Sequence, residues 1–288
     1  MTQFSEHFHT ASDGVKTYYR LYKARTPGGK APVICLHGLT RNSKDFEDVA
    51  PMIAALGRDV MAVDVRGRGR SDRDSNPDNY QVPVYAEDVA GILKDLGWRR
   101  VVSVGTSMGG LMTMTLAAMQ PDLLRGAVIN DIGPEIDPEG LGRIQQYVGH
   151  APTYASWQEA ADGVRAVNGD AFPDETGDAF WLAFARRTCK EREDGRIVHD
   201  YDMAIAQAFD SGDGGLPDLW PLFDALKPVP VLLVRGALSD LLTEDTARKM
   251  EQRHPDLRLV TVERIGHAPM LTEPASAQAI TTFLKECD

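Results

Sequence analysis

The 288-residue sequence predicts an α/β fold: a parallel sheet flanked by helices, carrying a helical insertion late in the chain. Three observations predict it. Short apolar runs are continuous rather than alternating, as in strands buried on both faces. Helical patterns sit between those runs, and such alternation builds parallel sheets through right-handed crossovers. The alternation then stops between about Glu135 and Phe223, where no strong strand pattern is visible.

In chain order, "GVKTYYRLY" (14–22) alternates and reads as an early edge or hairpin strand. "APVICLHG" (31–38), "RDVMAVDVRG" (58–67), "RRVVSVGTS" (99–107) and "LRGAVINDIG" (125–133) read as buried strands. "PVPVLLVRG" (228–236) and "LRLVTVERIG" (257–266) resume the pattern after the break. Helices are expected over 45–57 and 79–97, each ending in Gly, and over 107–121, ending at Pro121. Two more are expected over 243–255 and at the end of the chain. The stretch 135–223 holds helix-like pieces and many aromatics, among them Tyr147, Tyr154, Trp157, Phe172, Phe180, Trp181, Phe184, Tyr201 and Phe209. It reads as a helical insertion, so residues 1–134 and 224–288 form the core and 135–223 the cap. The aromatics either line a pocket or pack the insertion's own interior.

Composition narrows the function. A net charge of −11 disfavours nucleic-acid and anionic-membrane partners, which need a basic face. No apolar stretch reaches the length of a membrane helix, and "MTQFSEHFHTASDG" does not read as a signal peptide. Cys35, Cys189 and Cys287 are odd in number and far apart, which argues against a disulfide framework or thiolate zinc site and fits a reducing cytoplasm. Cys35, inside an apolar run, reads as a small buried hydrophobe. No metal-ligand cluster or Walker loop occurs. "DVRGRGRSD" (64–72) has two glycines after a strand, but it lacks the third glycine and the helix of a dinucleotide site, so it reads as a turn at the sheet edge. No cofactor is expected.

Gly105-Thr106-Ser107-Met108-Gly109 matches G-x-S-x-G between an expected strand and an expected helix. A sharp strand-to-helix turn holds such a serine in a strained backbone, with room only for glycine two residues to either side. The helix N-terminus then faces developing negative charge. A serine needs a base, and the chain order in such sites is serine, acid, histidine. His7, His9 and His37 precede Ser107, His150 and His199 fall in the insertion, and His254 ends a helix. His267 directly follows the last strand and is the expected base. For the acid, Asp240 follows the penultimate strand and is favoured; Asp131 follows another strand and obeys the same order. The oxyanion hole is expected from the N–H groups of Met108 and of Leu39 in "LHGLT" (36–40), with His37 anchoring that loop. Arg41 is a candidate for contacting a substrate carboxylate, and Trp157 and Trp181 are candidate substrate contacts.

On "LHGL", "DVRGRGRSD", "GTSMGG", "RGALSDLL" and "GHAPMLTEP", in that order, the chain resembles the α/β-hydrolase superfamily over nearly its whole length. The resemblance implies an eight-stranded, mostly parallel sheet with a cap inserted after the sixth strand, a triad at Ser107, Asp240 and His267, and no cofactor. The chain is similar to the group that holds carboxylesterases, lactonases, C–C bond hydrolases and iminopeptidases. Serine at 107 disfavours relatives with an aspartate nucleophile, and "HGLTR" departs from the HGGPG of iminopeptidases. The expected activity is hydrolysis of a small-molecule ester or lactone with hydrophobic surface. Alternatives are C–C bond hydrolysis of a diketone-type ring-cleavage product and, from another class, a ligand-binding receptor on the same fold.

Overall fold

The structure, a computed structural model, describes residues 4–26, 28–150, 152–207 and 218–287. Eight strands form one sheet: β1 (Phe4–Thr10), β2 (Lys16–Tyr22), β3 (Val33–Leu36), β4 (Val60–Val63), β5 (Val101–Thr106), β6 (Leu124–Asn130), β9 (Val231–Gly236) and β10 (Leu257–Val262). Their spatial order is β1-β2-β4-β3-β5-β6-β9-β10. From β4 to β10 neighbouring strands run parallel; β1 and β2 form an antiparallel hairpin, and β2 pairs antiparallel with β4. The expected eight-stranded, mostly parallel sheet is present. Strands β3, β4 and β9 are buried along their whole length, which is why they read as continuous apolar runs. Strand β10 lies at the sheet edge and is only partly covered.

Helices cover both faces. On one side α2 (Val82–Asp95), α3 (Met108–Met119), α7 (Trp220–Asp224) and α8 (Glu244–Arg253) share one apolar core with Ile34, Leu36, Met61 and Val63. On the other, α1 (Val49–Ala55) and α9 (Pro274–Glu286) share a second apolar core with Val33, Cys35, Val60 and Ala62. The odd and even residues of each strand thus serve opposite cores, as strand pleating requires. Helix α3 is apolar nearly all round because it lies under the sheet's centre, between the sheet and its neighbouring helices. Cys35 is fully buried, and burial pushes its thiol well above the ordinary range. No helix among the described residues is long and apolar enough to cross a membrane.

Between β6 and β9 lie α4 (Pro138–Tyr147), α5 (Trp157–Asn168) and α6 (Asp178–Thr188). Asp137 caps α4 with Pro138 in its first turn, and the Ser156 hydroxyl caps α5. This stretch also contains a hairpin absent from the sequence expectation, β7 (Cys189–Glu191) with β8 (Ile197–His199). Three-residue strands are too short to show a period. The insertion has its own core of Tyr154, Val164, Phe172, Trp181, Phe184 and Ile197. Phe209 and the end of the helix-like piece that contains it lie outside the described residues.

The insertion is tied to the core by polar contacts as well as by Ile144, Val148, Tyr201 and Ile205, which join the sheet's apolar core. The Lys44 ammonium donates to the carbonyls of Arg186 and Cys189, and Asp200 pairs with both Lys44 and Lys190. Backbone bonds join Gly69 N–H to the Asp200 carbonyl and Asp202 N–H to the Gly67 carbonyl. The "DVRGRGRSD" loop is therefore a docking turn for the insertion as well as a sheet-edge turn. Its Gly69, at φ +56, leaves room for the Asp64 carboxylate, which a Cβ would meet at 2.1 Å.

Candidate active site

Ser107 sits between β5 and α3 at φ 52, ψ −116, outside the ordinary basins of an L-residue. Both flanking glycines are required by contact. A Cβ on Gly105 would meet the Gly109 carbonyl oxygen at 2.3 Å, and one on Gly109 would meet the Leu36 carbonyl oxygen at 2.0 Å. The Ser107 N–H donates to the Asn130 carbonyl at 2.9 Å, and the Gly110 N–H donates to the Ser107 carbonyl at 2.7 Å. The turn is locked from both sides, and the hydroxyl stands at the carboxyl edge of the sheet.

His267 follows β10 and reaches back over this edge. Its Nε2 lies 2.9 Å from Ser107 Oγ, and its Nδ1 lies 2.8 Å from Asp131 Oδ2. A carboxylate can only accept, so the neutral ring carries its proton on Nδ1 and turns the Nε2 lone pair toward the serine hydroxyl. Asp131, immediately after β6, is fully buried, with φ 57. Its N–H donates to the Val234 carbonyl at 2.8 Å, and its Oδ1 accepts from the Gly236 N–H at 2.8 Å. One carboxylate oxygen is thus spent on β9 and the other on His267.

The acid expected at Asp240 is corrected by this geometry: Asp131, not Asp240, holds His267. Asp240 is bound by the Arg143 fork from α4, at 2.5 and 3.0 Å. Burial raises its carboxyl, but the Arg143 hydrogen bonds and charge outweigh that and hold it below the usual range. Both aspartates follow strands at the same sheet edge, so chain order alone cannot separate them. The guanidinium that occupies Asp240 comes from the insertion, about a hundred residues away in sequence.

The loop after β3 faces the serine. His37 is fully buried; its Nδ1–H donates to the Gly38 carbonyl at 2.7 Å, and its Nε2 accepts from the Val65 N–H at 3.0 Å. Burial pushes its pKa down to about 4. It is a neutral anchor, as the sequence suggested. In a trans peptide the carbonyl and the next N–H point opposite ways, so pinning the Gly38 oxygen turns the Leu39 N–H outward. Among the described residues, neither the Leu39 nor the Met108 N–H has a protein acceptor.

Above Ser107 and His267 lies a cavity of about 400 Å³, within the range of small-molecule sites. The insertion supplies Ile144, Tyr147, Tyr154, Phe172, Phe184 and Tyr201 to its wall, and the core supplies Leu39 and Arg41. His199, on β8, also lines it; burial, and secondarily the charge of Arg41, depress its pKa. Arg41 is at the cavity, but its Nε and Nη2 are engaged by Asp45 at 2.7 to 3.0 Å and its guanidinium lies 4.1 Å over Phe184. Trp157 and Trp181 do not line the cavity. Trp181 is buried in the insertion's core against Phe172, Phe180 and Phe184, with its indole N–H on the Glu175 carbonyl. Trp157 instead lies under the Arg186 guanidinium at 4.7 Å. Five of the insertion's aromatics face the cavity, and three of them, Tyr154, Phe172 and Phe184, also belong to the insertion's own core.

A strained serine at a strand-to-helix turn, bonded to a histidine that a buried aspartate holds, on a mostly parallel eight-stranded sheet, defines the class of α/β hydrolases. The chain belongs to the family described as alpha/beta hydrolase fold, which matches residues 31–274. It is 31% identical over 268 residues to the 3-hydroxybutyrate-oligomer hydrolase of Cupriavidus necator, covering 89% of each chain. It is likewise 31% identical over 263 residues to the 2-(acetamidomethylene)succinate hydrolase of Mesorhizobium japonicum, covering 90% of each. An α/β hydrolase crystal structure from Novosphingobium aromaticivorans is similar with a TM-score of 0.92, at 44% identity and 99% coverage of both chains. These relationships make the chain a hydrolase.

Proposed function

We propose that this protein is a serine hydrolase of carboxylic esters, acting through Ser107, His267 and Asp131. The observation that carries the reading is the unbroken bonded chain from Ser107 Oγ through His267 to Asp131, at 2.9 and 2.8 Å, opening on the cavity. Ser107 Oγ attacks the ester carbonyl as His267 Nε2 takes its proton. The N–H groups of Leu39 and Met108 hold the oxyanion, and Asp131 stabilises the imidazolium. His267 returns the proton to the departing alkoxide, which leaves as the alcohol. Water then repeats the cycle on the acyl-enzyme and frees Ser107 and the acid.

The cavity wall combines aromatic rings with the polar groups of Arg41, Tyr147 and His199. That mixture favours an ester with further oxygens beyond the scissile bond, such as a short oligomer of a hydroxy acid, over a plain alkyl chain. The similarity to a 3-hydroxybutyrate-oligomer hydrolase supports the same substrate class. The test is a panel of aryl esters, alkyl esters, lactones and 3-hydroxybutyrate dimers and trimers, assayed with the wild type and Ser107→Ala. The expected outcome is stoichiometric labelling of Ser107 by an organophosphonate, loss of turnover in Ser107→Ala, and higher kcat/KM for the oligomers than for alkyl esters of equal length. Turnover retained by Ser107→Ala sinks the mechanism. Labelling without turnover on any ester would favour a receptor.

A further inference from the structure

Arg68 is buried, with 1% of its surface exposed, and among the described residues it has no carboxylate partner. Its neighbour in the same loop, Arg66, pairs with Asp13, Asp74 and Asp88. A buried cation without a counter-ion costs folding free energy, so its retention needs a reason at this position. Its contacts supply one. Arg68 Nε donates to the Leu39 carbonyl at 2.9 Å, one Nη approaches Met108 Sδ at 3.7 Å, and the other Nη donates to the Arg66 carbonyl at 2.8 Å. The guanidinium lies 4.7 Å from the Tyr85 ring centroid and 5.7 Å from that of Tyr80, which accommodate its charge in place of an anion.

Leu39 and Met108 are the two residues whose N–H groups form the oxyanion hole in the reading above, and the following inference rests on that reading. They belong to different segments, the loop after β3 and the turn before α3. A hole built from two segments works only if their mutual spacing is fixed before charge develops. We infer that Arg68 is a positioning residue that clamps the oxyanion loop to the serine turn. His37 fixes the Gly38 carbonyl and Arg68 fixes the Leu39 carbonyl, so the Leu39 N–H lies between two pinned peptide oxygens. The Arg68 backbone is itself paired with Tyr201 of the insertion as an isolated antiparallel bridge, so the clamp is continuous with the cavity wall. A lysine cannot replace it, because one ammonium on a flexible stem cannot bridge both segments in a fixed fork.

The test uses Arg68→Met and Arg68→Lys, with rates per serine titrated by an organophosphonate so that misfolded protein is not counted. Affinity is measured for a trifluoromethyl ketone, which forms a hemiketal oxyanion on the serine, and for the matching methyl ketone, which reports ground-state binding. For both variants kcat is expected to fall by roughly 10- to 100-fold with KM changed less than about threefold. Trifluoromethyl ketone affinity should fall by the same factor as kcat, and methyl ketone affinity should be unchanged. A merely structural role would lower the Tm and the yield of titratable serine while leaving kcat per titrated serine intact, and that result overturns the inference. Full kcat in Arg68→Lys overturns it too, because charge alone would then suffice. If Arg68→Met yields no soluble protein, Arg68→Lys decides by the same two criteria. Ser107→Ala is run alongside: its retained turnover would overturn the serine mechanism, whereas its inactivity beside a fully active Arg68→Met overturns this inference alone.

Discussion

At the scale of single residues, the site depends on groups that must carry a particular charge. His37 must stay neutral, because its Nε2 accepts from the Val65 N–H while its Nδ1–H holds the Gly38 carbonyl. With the folded pKa at about 4 against an ordinary 6.5, the unfolded chain binds a proton at His37 that the folded chain refuses. Its contribution is therefore complete above about pH 6.5 and is lost as pH falls from there toward about 4. His37→Asn should flatten that part of the stability curve, as read by urea melts of both proteins at pH 7 and pH 5. An unchanged pH 7 to pH 5 difference in the variant would remove His37 as the source. Asp131 joins β9 to the histidine, its two oxygens accepting from the Gly236 N–H and from His267. Asp131→Asn is expected to lower kcat by roughly 10³- to 10⁴-fold, as loss of the acid member does elsewhere, while Asp240→Asn has a far smaller effect. A large loss confined to Asp240→Asn would restore Asp240 as the acid. Ser107 and His267 were legible because local rules define them: glycines at fixed offsets, and a histidine just past the last strand. The choice between Asp131 and Asp240 was not, because it is made by Arg143, which arrives only when α4 folds over the sheet edge.

At the scale of elements, strands buried on both faces announce themselves and marginal ones do not. The hairpin strand β2 was visible, but its partner β1 was not. Phe4, His7 and His9 stand half-covered among exposed neighbours, Phe8 included, on an edge that pairs on one side only. The β7–β8 hairpin, three residues a side, escaped because strands that short show no period. Helix α4 shows how an element's position fixes a residue's role. Its Arg143 fork binds Asp240 in the loop after β9, joining the insertion to the core across a half-exposed pair. Such a pair contributes at most about 1 kcal/mol. Because Arg143 depresses the Asp240 carboxyl, that contribution is present above the ordinary carboxylate range and is lost as pH falls through the depressed value. Arg143→Met should therefore lower stability slightly at pH 7, and the gap to wild type should close on acidification. A gap that persists in strong acid would mean Arg143 acts through packing.

At the scale of the whole molecule, the insertion divides: Ile144, Val148, Tyr201 and Ile205 join the sheet's apolar core, whereas α5, α6 and the β7–β8 hairpin form a cluster of their own that meets the rest through several polar contacts. Lys44, Asp200, Arg187 with Asp48, Arg143 with Asp240 and Arg264 with Asp174 all bridge between insertion and core. Polar junctions of this kind resemble transient interfaces and permit relative motion, whereas the sheet with α2 and α3 is continuous apolar packing. The cavity lies at that junction, with Ser107 and His267 from the core and Tyr147, Tyr154 and Tyr201 from the insertion. Substrate entry is thus expected through displacement of the separately packed part of the insertion, α5, α6 and the β7–β8 hairpin, without disturbing the sheet. Hydrogen exchange tests this directly. Amides in α5, α6 and β8 should exchange faster than those in α2, α3 and β3 to β6, and a bound trifluoromethyl ketone should protect the first group more than the second. A ligand occupying the junction stabilises only the closed arrangement, so protection must appear in the elements that open. Equal exchange in both groups, or ligand protection spread evenly through the sheet, would instead mean that insertion and core open as one unit, leaving the rim of the cavity as the entry route.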